Sequence, residues 1–191
     1  MAQIKTIGVW GLEESVVGSK FPYSVDIESL TDEITDTVIS LASSGKSEGH
    51  DQFLNGPTVM FDMTFSNKAW VEAERYTFLN FLSSQSTMHR IAKMDIRKCC
   101  NEYVTENSIK EAERLLKIYN DDPTPYNYLV LLYNIPSGFE LTARMITNYR
   151  CLKNIYSQRK NHRLPDWKVF CEWCETLPMF KEWFVDGTNN T

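Results

Sequence analysis

The spacing of apolar residues divides the chain into segments of two different periods. Residues 3–10 (QIKTIGVW) are β-branched and partly alternating, and residues 58–65 (TVMFDMTF) alternate apolar with polar, which predicts two strands. Between them, residues 11–25 read as a loop punctuated by Gly and Pro. Leu30, Ile34, Val38 and Leu41 recur at helical spacing, which predicts a helix over 29–41 with acids crowding its first half. A Gly- and Ser-rich connection containing Gly49-His50 follows. Residues 67–82 read as helical or mixed. Asn107, Ser108 and Glu111 fit a capping box, opening a helix that runs to Tyr119 and ends at Asp121-Asp122-Pro123. Residues 126–135 (YNYLVLLYNI) fit either a strand or a buried helix. Beyond the turn at Pro136-Ser137-Gly138, a long helix is expected over 141–158, broken by His162 to Pro165. A last helix starts at Trp167 and Leu177-Pro178 closes it. Strand, helix, strand, then mainly helices predicts an α+β fold: one mainly antiparallel sheet covered by helices. A single domain over 1–186 with a frayed tail at 187–191 is expected.

Composition narrows the function. A length of 191 residues suffices for a sizeable core, and no repeat or low-complexity block interrupts it. A net charge of −5 argues against general binding to nucleic acid or membrane. No apolar run approaches a membrane span and no signal-peptide pattern opens the chain, so a cytoplasmic location is expected. The five cysteines are odd in number, and CEWC at 171–174 is a single CxxC inside an apolar, helix-like segment. One pair is half a zinc site, so these cysteines are expected to pack as small hydrophobes. No Ser-His-Asp arrangement, phosphate-cradling Gly loop or metal motif is visible.

Charge is unevenly spread. From Arg144 to Arg163 the chain holds six Lys or Arg residues plus His162, and no acid. On one helix spanning Thr142 to Arg159, turning about 100° per residue, Asn148 and Arg159 fall on nearby faces. Arg150, Asn154 and Asn161 lie on a neighbouring face, while Met145, Tyr149, Leu152 and Tyr156 pack inward. Guanidiniums match phosphate, and amides can read a planar heterocycle, so such a face suits a nucleotide or dinucleotide. The bland alternative is a solvated face whose bases pair with the acidic residues 28–36. A nucleic-acid backbone is a weaker third reading, because six charges make a small footprint.

At these residues the chain resembles the flavin-dependent thymidylate synthases, in particular a short, divergent, bacteriophage-type branch. Their C-terminal pattern of Pro, Asn, Arg, Leu and Arg finds Pro136, Asn148, Arg150, Leu152, Ile155, Tyr156 and Arg159 in register, with a further Asn at Asn154. Upstream, Gly49-His50 precedes a strand, and Arg75 falls where the first Arg of the family's Arg-His-Arg motif belongs. The resemblance implies a sheet-and-helix fold, a homotetramer and FAD at subunit junctions. It implies methylation at C5 of a pyrimidine deoxynucleotide such as dUMP, with methylene-tetrahydrofolate giving the carbon and NADPH the electrons. His50, Arg75, Asn148, Arg150 and Asn154 would surround FAD, and Arg159 would hold the nucleotide phosphate. The location would then be host cytoplasm.

The chain also departs from the motif. Tyr76 and Thr77 replace its middle His and second Arg, and the Asn-Glu pair is gone. Ser86 matches the second motif Ser only after a one-residue insertion, and Thr87-Met88 replaces Arg-Tyr, with His89 and Arg90 following as possible substitutes at the nucleotide. Leu132 stands where the family places another Arg. The cofactor half is kept and the nucleotide half is rewritten. Two readings stay open: a flavoenzyme that methylates or hydroxymethylates a pyrimidine nucleotide, and an inactive relative that binds a nucleotide or a host protein. His50, His89 and His162 each have a plainer reading as loop, cap or solvated helix-end residues. The aromatics Trp167, Phe170, Trp173, Phe180, Trp183 and Phe184 read as core or subunit interface.

Overall fold

The computed structural model describes residues 1–45 and 48–186, so the expected tail at 187–191 lies outside the described residues. Its centre is a four-stranded antiparallel sheet in the order β1-β2-β4-β3, formed by β1 (Gln3–Trp10), β2 (Thr58–Ser66), β3 (Asn80–Ser84) and β4 (Glu140–Asn148). β2 and β4 pair without a break from Thr58↔Asn148 to Ser66↔Glu140. The period of two puts Val59, Phe61, Met63 and Phe65 of β2 on one face beside Ala143 and Met145 of β4, all buried. The opposite face carries the Thr64–Thr142 hydroxyl contact (2.7 Å) and a bidentate Arg144–Asp62 pair (2.7 and 2.9 Å). That arginine holds the Asp62 carboxyl below the usual carboxylate range.

Helices α8 (Tyr149–Arg159) and α9 (Pro165–Cys174) contribute most of the cover on the buried face. Trp167, Phe170, Trp173, Phe180, Trp183 and Phe184 are all buried there, as the core reading expected. Phe65 meets Trp167 edge-on at 5.2 Å, and Phe61 lies 4.4 Å from Trp173, an arrangement that suits aromatic quadrupoles. A second, smaller cluster holds Ile91 just after α4 (Thr87–Arg90), Ile96 of α5 (Ile96–Cys99), Ala112 and Leu115 of α6 (Glu106–Asp121), Leu131 of α7 (Pro125–Tyr133) and Phe139 just before β4. No helix among the described residues is long and apolar enough to cross a membrane.

Four expectations need correction. The helix expected over 141–158 is a strand to Asn148 and a helix only from Tyr149. Thr142, Ile146 and Thr147 are β-branched, and the free ladder of β2 pairs with them, which outweighs their weak helical spacing. Residues 11–25 are not all loop: α1 (Leu12–Ser19) opens after Gly11, whose φ of +74° an L side chain rarely adopts and where an added Cβ would stand 3.2 Å from the Gly56 carbonyl. The helix expected over 29–41 begins only at α2 (Asp36–Ser43), capped by Thr35. The acidic segment before it is held extended by Lys20 Nζ, which donates to the carbonyls of Thr31 and Glu33 at 2.7 Å each. The cap of α6 is Thr105, which accepts from Ser108 N–H at 3.3 Å, not the Ser108 box. Two ambiguous segments resolve: 67–82 is mixed, with α3 (Asn67–Ala73) leading to β3, and 126–135 is helical, capped by Thr124.

Among the described residues no cluster of three or more His, Cys, Asp or Glu side chains could hold a metal. Burial pushes the Cys171 thiol up to about 11 and holds that of Cys174 well above its ordinary value. Thiolate is the reactive form. At pH 8, iodoacetamide should therefore label these two cysteines far more slowly in the folded protein than in urea, read by peptide mass spectrometry. Equal rates in both states would contradict the burial.

Candidate functional site

The break between β4 and α8 organises the candidate site. Asn148 ends the strand and caps the helix, its Oδ1 accepting from Cys151 N–H at 2.9 Å. Helix α8 then presents Arg150, Asn154 and Gln158 four residues apart, one above the other on a single face. The opposing wall is the segment after α3, where Arg75, Tyr76, Thr77 and Phe78 run towards β3. Thr147 Oγ1 ties that wall to the sheet by donating to the Phe78 carbonyl at 2.7 Å. Together with Asn55 and Cys151 these residues line an open cavity of about 310 Å³.

Four of the five residues expected around a cofactor therefore meet in one cavity: Arg75, Asn148, Arg150 and Asn154. His50 does not; it lies in a separate open groove with Tyr23, Leu41 and Phe53. Ser86, His89 and Arg90 also lie outside the lining. They sit at α4 beyond β3, where Tyr128 of α7 donates a hydrogen bond to the Met88 carbonyl. Arg159, only 9 % exposed, is not in the lining either. Its Nη1 donates to Glu72 Oε2 at 2.8 Å and its Nε to the Tyr76 hydroxyl at 2.7 Å. Its guanidinium stacks 4.5 Å from the centre of the Trp167 ring.

Ion pairs occupy most of the basic segment. Arg144 pairs with Asp62; Arg150 and Lys153 both pair with Asp51 at 3.0 Å; Arg159 pairs with Glu72, with His162 Nε2 3.3 Å from the same oxygen. The acids involved are Asp51, Asp62 and Glu72, not residues 28–36. Asp51 is 2 % exposed, and these two cations are the counter-charges to its buried carboxylate. Lys153 Nζ also donates to the Ala42 and Ser44 carbonyls at 2.8 and 2.7 Å, binding the C-terminal end of α2 to α8. In the cavity lining, Arg75 is the cation without an ion-pair partner among the described residues.

Sequence reasoning missed Asn55, Thr77, Phe78, Cys151 and Gln158 in the lining, and Asp51, Glu72 and Lys153 behind it. Gln158 carried a readable signal: it lies one turn beyond Asn154, as Asn154 does beyond Arg150. Glu72 lies close to three donors that come from well over 80 residues away, which no local pattern encodes.

The Glu72 carboxylate receives Arg159, Trp167 Nε1 (3.1 Å) and His162 in a largely buried setting. Glu72→Ala leaves a buried guanidinium uncompensated, so it should cost about 3–5 kcal/mol in urea unfolding. A loss below about 1 kcal/mol, the range of solvated pairs, would show that the pair is effectively in water.

No family model matches the chain, and no curated protein matches it. Solved structures do. Thymidylate synthase X (ThyX) from Helicobacter pylori, determined with FAD and dUMP, matches with a TM-score of 0.79 and 14% identity over 98% of this chain and 99% of that one. A second structure of the flavin-dependent ThyX of the same organism, also complexed with FAD and dUMP, gives 0.76 and 14%, covering 96% and 98%. The UMP/dUMP methylase PolB from Streptomyces cacaoi, bound with 5-Br dUMP, gives 0.65 and 13%, covering 97% and 95%. At these identities the likeness establishes the architecture: this chain has the ThyX-like fold, from end to end of both proteins.

Proposed function

We propose that the chain is a flavin-dependent enzyme that transfers a one-carbon unit to C5 of a pyrimidine deoxynucleotide, as methyl or hydroxymethyl, in the nucleotide or DNA-base metabolism of a phage. The observation that carries this reading is the convergence of Arg75 with Asn148, Arg150 and Asn154 on one cavity, from segments more than 70 residues apart. The fold supports it, since solved neighbours of that fold hold FAD and dUMP or a brominated dUMP.

The residues present fit a flavin dinucleotide in part. The amides of Asn154 and Gln158 each offer a donor and an acceptor to the edge of a heterocycle. Arg75 carries the charge that a phosphate or an anionic ring would meet. Arg150 is partly neutralised by Asp51 and acts chiefly to orient. At about 310 Å³ the cavity holds only a portion of so large a cofactor, and the rest would extend across its open mouth. With methylene-tetrahydrofolate as the carbon donor, bound FAD would, for the methyl product, supply two electrons drawn from NADPH; a hydroxymethyl product keeps the oxidation level of the methylene and would take water instead. Ser86, His89 and Arg90 lie outside the cavity, so a shared site needs them from a second copy of the chain. The reading therefore includes a homo-oligomer, in the tetrameric form the resemblance implies, working in host cytoplasm.

The second reading is an inactive relative that binds a nucleotide or a host protein, and one observation favours its host-protein form. Arg159 is stacked on Trp167 and committed to Glu72 and Tyr76, which leaves it a poor partner for a phosphate dianion.

Absorption spectroscopy separates the two. The purified protein, loaded with FAD and desalted, should keep a bound-flavin spectrum that dUMP perturbs. Arg75→Ala and Asn154→Ala should each weaken FAD retention with circular dichroism unchanged; for Arg75, a charge-assisted contact, the loss should be about tenfold or more. A protein that stays colourless at saturating FAD would overturn the flavoenzyme reading in favour of the binding protein.

A further inference from the structure

We propose that a second cavity, at the N-terminal end of α3, binds a small aryl anion: a phosphate or carboxylate carried on an aromatic ring. The Arg75 cavity lies past the other end of the same helix. The second cavity measures about 340 Å³, and four segments meet around it: the start of α3, the 101–104 loop, the 136–138 turn and the α8–α9 connection.

Its walls are fixed by backbone hydrogen bonds. Lys68 N–H donates to the Ser137 carbonyl at 3.0 Å, and Asn101 N–H to the Gly138 carbonyl at 2.9 Å. A Cβ at Gly138 would stand 2.5 Å from Val104 Cγ2 and 2.6 Å from Asn101 Oδ1, so the loop closes on this turn because the residue is glycine.

Charge separates this cavity from the rest of the basic segment. Lys68 and Arg163 both line it, and neither has an ion-pair partner among the described residues, whereas Arg144, Arg150, Lys153 and Arg159 are all paired and Lys160 is exposed outside either cavity. The lining holds one carboxylate, Asp166. It is 2 % exposed and accepts the Ser66 N–H at 2.8 Å, so it is bound into the wall. The cavity keeps a net positive charge. Two unpaired cations from separate elements on one lining suit a phosphate or carboxylate head. Beside them, Leu164 and Pro165 give an apolar surface and the largely exposed Tyr103 gives an aromatic face, which suits a ring. Two cations on an acidic chain are too small a footprint for a nucleic-acid backbone, so the ligand is a small molecule.

The test is a ¹⁵N NMR titration of the full chain with phenyl phosphate, benzoate and inorganic phosphate. Phenyl phosphate or benzoate should give saturating shifts at the amides of Tyr103 and Gly138; the tighter of the two identifies the head group. Lys68→Ala and Arg163→Ala should each weaken binding about tenfold, the worth of one charge-assisted hydrogen bond. Tyr103→Ser should weaken the aryl ligands and leave inorganic phosphate unchanged. All three residues are exposed, so spectra of the variants away from the cavity serve as the control for folding. Absence of saturation by both aryl anions overturns the proposal. So does binding that survives the Lys68→Ala/Arg163→Ala pair, or shifts that gather at Arg75 and Asn154 instead.

Discussion

The uninterrupted pairing of β2 with β4 is the constraint on which the other elements rest. Because side chains alternate across a strand, this register alone decides that Phe61, Phe65 and Met145 enter the core while Asp62 and Arg144 face out. A slip of one residue would turn that ion pair into the aromatic core and expose the phenyl rings. The same register sets Asn148 opposite Thr58 at the end of the ladder. Since Asn148 caps α8, the register fixes where that helix starts, and so where Arg150, Asn154 and Gln158 stand.

Legibility in the sequence follows the range of the interactions. β1, β2 and the final aromatic helix could be read because their patterns are local: alternation in TVMFDMTF and a run of aromatics ending in buried Trp and Phe. β4 could not, because its spacing also suited a helix and the decision came from β2, some 80 residues away. The extended acidic segment was equally hidden, since Lys20 holds it from outside. The four residues that line the Arg75 cavity were picked out through resemblance, from a register that did not require the right secondary structure. Asn148 lines that cavity even though the helix assigned around it is half strand.

The concentration of positive charge from Arg144 to Arg163 has a structural explanation. Most of these cations satisfy acids buried or half-buried on other elements: Asp62 on β2, Asp51 before β2 and Glu72 on α3. A partly buried carboxylate needs a partner with matching geometry, and Arg supplies it as a two-pronged donor. Of the remaining two cations, Lys160 is exposed at the end of α8 and Arg163 lines the second cavity with Lys68, while Arg75, outside the segment, is the unpaired cation of the first among the described residues. The two cavities therefore each hold unpaired positive charge, one at either end of α3.

The bond from Lys153 to the end of α2 spans 111 residues of chain. The entropy of closing a loop rises only with the logarithm of its length, each doubling costing about 0.6 kcal/mol, so so distant a tie is only slightly more costly at equilibrium than a much shorter one. The cost falls on time. Contacts of such separation form after the local helices and hairpins, because the intervening chain must first be drawn in. Asp51, Arg150 and Lys153 share this junction, so the α8 side of the Arg75 cavity is completed late in folding. The β2–β4 ladder joins residues almost as far apart, so the sheet and this wall belong to the same late stage.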